Sequence, residues 1–249
     1  VATTKPTPPP SLAPSLIRKA HQMYKRTCLA GMGIYPTLRA SLASPNPGEQ
    51  AWTISPPALS AKPTVISLGL AENLSFDLSM IRNYRAVVHG YDPTPTTQAW
   101  VAKNPLPADF HYHCLAVAGH DGWLDLFERC GKGGKGKGAV FQKAPCRRLS
   151  GVCRDLGLVS IDVLKMDIEG SEYPALHDIL KEGPLPTQIA VEFHHRFEEI
   201  GIQKTRQAHQ ALARHGYGLS TLALGQKNFY TSGKDRPPRE EPAHSFSHA

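Results

Sequence analysis

The residues best placed to do chemistry fall in two short segments. LKMDIEGSE at 164–172 sets Asp167, Glu169 and Glu172 within six positions, directly behind an apolar run. Crowding carboxylates is unfavourable unless the group binds a cation, shares protons or caps a helix. Glu172 has a plain explanation as an acid in the first turn of a helix; Asp167 and Glu169 do not. The second segment, AVEFHHR at 190–196, holds Glu192, His194 and His195. In an extended strand Glu192 and His194 point to the same side. Acids and imidazoles near Asp167 offer one of two chemistries. One is proton transfer, with His194 or His195 as base. The other is divalent-metal binding, with Asp167, Glu192 and His194 as a hard ligand set.

Three further segments carry weaker signals. GLAENLSFD at 69–77 has a glycine where a backbone can approach a ligand, and Ser75 placed to cap the helix that follows. A helix N-terminus there favours a carboxylate or phosphate. One glycine, where dinucleotide loops carry three, argues against a dehydrogenase. In GYDPTP at 90–95, Asp92 lies 23 residues past Gly69, a spacing that suits a ribose diol. It is also a common turn residue before proline. In AGHDGW at 118–123, Asp121 is a candidate acceptor for an adenine amino group, although His120, Asp121 and Gly122 also compose an ordinary tight turn.

These five segments follow five predicted strands: 64–68, 86–91, 111–118, 161–166 and 188–192. Helices are predicted at 75–83, 148–156, 171–180 and 204–215. A hairpin is predicted from 123–127 and 139–142 around the Gly/Lys loop, and a closing strand pair from 217–224 and 228–231. Alternating strands and helices imply a mostly parallel sheet with helices on both faces, binding ligands beyond the carboxyl ends of its strands. Residues 1–14 are Pro-rich and predicted flexible, 15–63 form a helix and loop extension, 64–232 the α/β domain, and 233–249 a flexible tail.

The chain has 249 residues, 41% hydrophobic, with a net charge of +7 that is partly concentrated in KGGKGK at 132–137. No aromatic-interleaved basic stripe or nucleic-acid module is present, so nucleic acid is not an expected partner. No apolar run reaches the length of a membrane span; an anchor removed from the N-terminal side is compatible with the Pro-rich start. Five cysteines, with no zinc spacing, leave both reduced thiols and one or two bridges open, the first candidate being Cys130 with Cys146 or Cys153.

VLKMDIEGSEYPAL at 163–176, with QIAVEFHHRF at 188–197, resembles the FkbM-type methyltransferases, especially a eukaryotic secretory-pathway branch. SLGLAENLSFD at 67–77, VVHGYDPTP at 87–95 and FHYHCLAVAGHDGWLDLF at 110–127 match that family's cofactor segments in order. The resemblance spans about 65–231, and the KMDIEG segment is its most specific part. It implies a Rossmann-like class I fold, seven strands in the order 3-2-1-4-5-7-6 with the last antiparallel, and S-adenosylmethionine as cofactor. Carried over, it places Gly69, Glu72, Asn73, Ser75 and Phe76 along the methionine half of the cofactor. Asp92, with Pro93 beside it, takes the ribose, Asp121 the adenine, and Asp167 sits next to the sulfonium. The first loop departs from the family's D/E-x-G-x-G form.

The activity so implied is O-methylation, foremost of a sugar hydroxyl on a glycan, by in-line displacement. His194 or His195 serves as base, Glu169 stands among the catalytic acids, or Mg2+ or Mn2+ lowers the hydroxyl's pKa. The competing expectations are a small-molecule or lipid-linked acceptor, and a non-catalytic cofactor-binding module. The expected location is the Golgi lumen or secretory pathway, with the cytoplasm as alternative. Asn73 and Ser75 form a glycosylation sequon inside the expected cofactor loop.

Overall fold

The computed structural model describes residues 31, 36–37, 40–48, 51–129, 137–197, 199–222 and 227–232. The chain divides into two units, 1–35 and 36–249. The segment 1–14, the first part of the 15–63 extension, most of the Gly/Lys loop and the tail from 233 lie outside the described residues.

The strands of the second unit are β1 (Thr64–Leu68), β2 (Val87–Tyr91), β3 (Phe110–His113), β4 (Ala116–Ala118), β5 (Gly122–Arg129), β6 (Lys137–Arg148), β7 (Val163–Met166), β8 (Gln188–Glu192), β9 (Tyr217–Leu222) and β10 (Lys227–Ser232). Its helices are α1 (Ser75–Tyr84), α2 (Pro95–Lys103), α3 (Leu149–Asp155), α4 (Glu172–Glu182) and α5 (Gly201–Arg214). Seven strands form one sheet in the order β3-β2-β1-β7-β8-β10-β9; β4, β6 and β5 form a second. Numbering only the large sheet's strands along the chain, the order reads 3-2-1-4-5-7-6, as expected. β10 runs antiparallel to both its neighbours and the other pairs up to β8 are parallel.

The central strands are short apolar runs because both their faces are covered. All four positions of β7 are buried, as are four of five in β1. From β1 the chain steps outward to β2 and β3, then returns to lay β7 and β8 on the other side. Right-handed crossovers therefore place α1 and α2 on one face and α3 and α4 on the other. α3 packs on α4, and α4 on α5. The direction of stepping reverses between β1 and β7, so the carboxyl ends of these two strands flank the crevice where such sheets bind ligands.

Two expectations are corrected. The run 111–118 is two strands in different sheets: β3 pairs with β2, while β4 pairs with β6. Between them the chain kinks, Leu115 N donating to His113 O at 2.9 Å. The prolines at 93 and 95 mark a helix start rather than only a turn, since Pro95 opens α2, where a missing N–H costs nothing.

The stretch expected as loop ahead of β1 is tied to the sheet. Trp52 and Ile54 are buried in the main core with Phe76, Met80 and Val88. Ser55 N donates to Gln188 Oε1 at 2.7 Å, and Asp162 accepts from Ser60 N at 2.7 Å and Thr64 N at 2.9 Å. Of the two alternatives left open, Cys146 and Cys153 are buried free thiols; Cys130 lies outside the described residues.

Gly69 directly follows β1 at φ 77°, and a Cβ there would stand 1.8 Å from the Asp167 carbonyl oxygen. It is glycine because the loops after β1 and β7 touch. Gly69→Ala should cost about 2–4 kcal/mol through backbone displacement and positive-φ strain. Thermal unfolding reads this, and an unchanged melting temperature would show that the two strand ends are free to separate.

His89, His111 and His113 stack on one face of β2 and β3, with ring centroids 4.9 and 5.5 Å from His89. Burial, then the neighbouring imidazoles, pushes His89 down to about 4; burial, then His195, does the same to His209 on α5. The unfolded chain titrates near the ordinary 6.5, so between that pH and about 4 it binds protons the folded chain refuses. Stability should be fully present above pH 6.5 and decline toward pH 4. Melting temperatures across that window should fall, less steeply for His89→Gln; identical slopes for the two proteins would contradict the assignment.

Candidate functional site

The site is built around the turn between β7 and α4. Asp167 follows the last residue of β7, and Glu169 stands at φ 53° ahead of Gly170 at φ 105°. A left-handed conformation costs a non-glycine residue about 1–2 kcal/mol. What holds it is Glu172, fully buried at the start of α4. Its Oε1 accepts from Ile168 N at 2.9 Å and its Oε2 from Gly170 N at 3.0 Å. Hydrogen bonds to a charged group contribute roughly 1.5–3 kcal/mol each, enough to offset the strain.

The same Oε1 lies 2.9 Å from Nδ1 of His194, a buried residue with 8% exposure. A carboxylate only accepts, so Nδ1 carries the hydrogen and donates, which leaves Nε2 with a lone pair. That atom faces Asp167 Oδ1 at 3.7 Å and Glu169 Oε2 at 3.5 Å. Burial alone would depress the His194 imidazolium, but the hydrogen bond and charge of Glu172, with Asp167 and Glu192, outweigh it and raise its pKa. The pocket thus favours positive charge at Nε2, as a proton or as a cation. Asp167, Glu169 and His194 bring three ligand atoms within 4.8 Å of one another.

The ligand atoms that lie together belong to Asp167, Glu169 and His194, while Glu192 Oε2 lies 4.0 Å from Lys227 Nζ on β10. Burial, then the charge of Asp167, raises the Glu192 pKa against Lys227 and His194. Lys227 sits 4.1 Å and Lys165 5.1 Å from the ring centre of Trp52, and Lys165 Nζ donates to the Gly69 carbonyl. His195 is half-buried, and its charge bears on His209.

The loop after β1 departs further from expectation. Phe76 is 2% exposed and packs on Trp52 in the main core, with ring centroids 6.3 Å apart. Ser75 is the first helical residue, not the cap: Asn73 Oδ1 accepts its N–H at 3.0 Å, and its Oγ accepts from Asn46 Nδ2 at 3.1 Å. Glu72 and Asn73 are exposed. Asp92 is buried and accepts from Leu70 N, Ala71 N, Thr94 N and the Thr94 hydroxyl, so taking a ribose diol requires it to release some of these. The Pro93 carbonyl accepts from Gln98 Nε2 at 3.2 Å.

Asp121 is engaged by arginines. Its oxygens accept from Arg148 N at 2.9 Å and Arg148 Nε at 3.3 Å, with Arg147 Nη1 at 3.6 Å. The Arg148 N–H and both guanidinium charges hold its carboxyl below the usual range. An adenine amino group would compete with them. Trp100 packs against the core, whereas Trp123 is 66% exposed on β5.

The structure therefore brings together Gly69, Asp167, Glu169, Glu192 and His194, while Phe76 packs in the core, Ser75 opens α1 and Asp121 meets Arg147 and Arg148. Sequence reasoning missed Glu172, Lys165, Lys227 and Trp52. Glu172 was detectable: it follows a glycine-bearing turn whose backbone N–H groups needed acceptors. The lysines carried no local signal, being brought in by β7 and β10.

A sequence model of the methyltransferase FkbM domain matches residues 76–219, more than half of the chain. That stretch contains the carboxylate–histidine cluster and begins just after the loop that follows β1. No curated protein matches the chain in sequence. Among solved structures, the fibrillarin pre-rRNA processing protein of Methanococcus jannaschii is 8% identical over 73% of this chain and 70% of its own, with a TM-score of 0.43. Aeropyrum pernix fibrillarin with natively bound S-adenosyl-L-methionine is 10% identical over 72% and 69%, at 0.41. A TehB-like SAM-dependent methyltransferase of Corynebacterium glutamicum is 11% identical over 88% and 99%, at 0.38. By the family match, and in keeping with its strand order, the chain belongs to the methyltransferase FkbM domain family and has the fold of an S-adenosylmethionine-dependent methyltransferase.

Proposed function

We propose that this chain is an O-methyltransferase that moves the methyl group of S-adenosylmethionine to a hydroxyl, foremost a sugar hydroxyl, beside a divalent cation held by Asp167, Glu169 and His194. The observation that carries this is the His194 ring, fixed by Glu172 with Nε2 facing two carboxylates. Metal-binding histidines are typically oriented in this way, by a carboxylate on the other ring nitrogen.

The residues fit a cationic cofactor. Asp167 and Glu169 remain partly exposed, with side chains 32% and 41% accessible, at the crevice between β1 and β7. A sulfonium and an amino acid's ammonium suit that acidic edge. When bound, S-adenosylmethionine supplies the methyl group on a sulfur that leaves as a neutral thioether. The chain's part is alignment and proton handling. Gly69 lets the two strand-end loops meet. Glu172 fixes the His194 tautomer, and Nε2 is either a cation ligand or, without a cation, the base for the hydroxyl proton. Mg2+ or Mn2+ would suit these oxygen and imidazole donors and would lower the pKa of a hydroxyl. The carbohydrate acceptor and a Golgi-lumenal location are proposals resting on the sequence resemblance.

Labelled-methyl transfer to a panel of saccharides tests the reading. Transfer should vanish in EDTA and return with Mn2+ or Mg2+; undiminished transfer in chelator would remove the cation and leave His194 as base. Binding of S-adenosylmethionine with no transfer to any acceptor would indicate a binding module. Glu172→Gln should weaken Mn2+ binding about 10–100-fold, measured by calorimetry, because the amide cannot accept at both positions. Unaltered Mn2+ affinity would detach Glu172 from the metal site.

A further inference from the structure

We infer that His89 and His113 form a binding site for one Zn2+ ion at the edge of the large sheet. The inference is independent of the methyltransferase reading and of the cluster of Asp167, Glu169 and His194. β3 is the outermost strand and pairs in parallel with β2, His89 standing opposite His111 and Tyr91 opposite His113. Strand alternation puts His111 and His113 on one face, and the rings of His89 and Tyr91 lie against them on that face. Nδ1 of His89 and Nε2 of His113 are 3.3 Å apart. Two nitrogens bound at about 2.0–2.1 Å to one tetrahedral Zn2+ stand roughly 3.3–3.4 Å from each other, so the pair is already spaced as two ligands of one ion.

The surroundings favour that ion. Tyr91 stacks on His113 with centroids 4.3 Å apart and planes at 7°, and His111 stacks on His89 at 4.9 Å, which holds both rings in place. Sites carried on strands are held more closely than sites on loops. Without an ion, one ring donates a hydrogen to the other. Moving that hydrogen to the donor ring's second nitrogen frees both facing lone pairs, and no proton leaves the protein. Burial, then His111 and His113, pushes His89 down to about 4, and burial, then His111, lowers His113. Both rings are therefore neutral at neutral pH, the form that binds metal. The neighbours whose charge acts on them are imidazoles. Nitrogen donors suit Zn2+, whereas the oxygens of Asp167 and Glu169 suit Mg2+ or Mn2+. Both histidines are half-buried, so water reaches the ion and completes its shell. A bound ion joins β2 to β3 through side chains, beside the point where Asp92 N donates to the His113 carbonyl at 3.2 Å.

Zn2+ binding to the full chain carrying His194→Gln, which removes the imidazole of the acid cluster, tests the site. Calorimetry should show one Zn2+ per chain in the micromolar range, undisturbed by millimolar Mg2+. Adding His89→Gln or His113→Gln should weaken binding at least about tenfold, since each removes one of the two protein ligands. Zn2+ should also raise the melting temperature of the His194→Gln protein, and not that of the protein carrying both His194→Gln and His113→Gln. Wild-type crystals soaked in Zn2+ should show anomalous scattering between Nδ1 of His89 and Nε2 of His113, a readout that needs no variant to fold. Zn2+ that binds equally tightly after His113→Gln, that Mg2+ displaces, or that scatters only beside Asp167 would overturn the inference. So would a chain that binds no Zn2+.

Discussion

The site depends on one repeated device: a buried carboxylate that accepts two backbone N–H groups from a strained loop. Asp92 does this for the loop after β1 and Glu172 for the loop after β7. Each loop contains a non-glycine residue at positive φ, Ala71 at 49° and Glu169 at 53°. Neither conformation is one the free backbone prefers, and each persists because a charge-assisted pair of hydrogen bonds contributes more than the strain costs. The two loops meet where Gly69 crosses the Asp167 carbonyl. Movement of either latch would therefore be felt at the other.

Glu172 joins the backbone to the chemistry. The carboxylate that sets the turn also sets the histidine, so loop shape and imidazole tautomer are determined together. A histidine with its Nδ1 bonded elsewhere would leave Nε2 differently protonated and the acids beside it without a counterpart. This coupling is why an acid that reads as ordinary helix-start chemistry is better understood as part of the site.

Much of the scaffold was legible in the sequence. The strands 64–68 and 188–192 coincide with β1 and β8, and the five expected strand ends include the three that build the site. The misses have physical reasons. The run 111–118 leads without a break into an apolar second half, but pairing partners are chosen in three dimensions, and a kink at Leu115 sends its two halves to different sheets. The sequence also could not show that the carboxylate after the second strand holds the backbone of the loop after β1, because those N–H groups come from a segment some 20 residues earlier. Strand alternation fixes a side and not a neighbour, so the sequence could not show that Lys227, 35 residues further on, stands beside Glu192.

Charge around the crevice follows the same logic. Buried ions need partners, and here they are shared out. Lys227 pairs with Glu192, and Lys165 donates to the Gly69 carbonyl while its charge opposes the burial that holds the Asp77 carboxyl above its usual range. Trp52 offers its ring to both lysines, giving them a polarisable surface as they leave water. His194 is held by Glu172. Asp167 and Glu169 are the acids left most open to the crevice, on the side where the sheet's direction reverses. An occupant carrying positive charge is favoured at that point over a neutral or anionic one, whichever group it presents. The segment ahead of β1 is part of this arrangement, since the strap carrying Trp52 supplies the ring against which two lysines sit behind the acids.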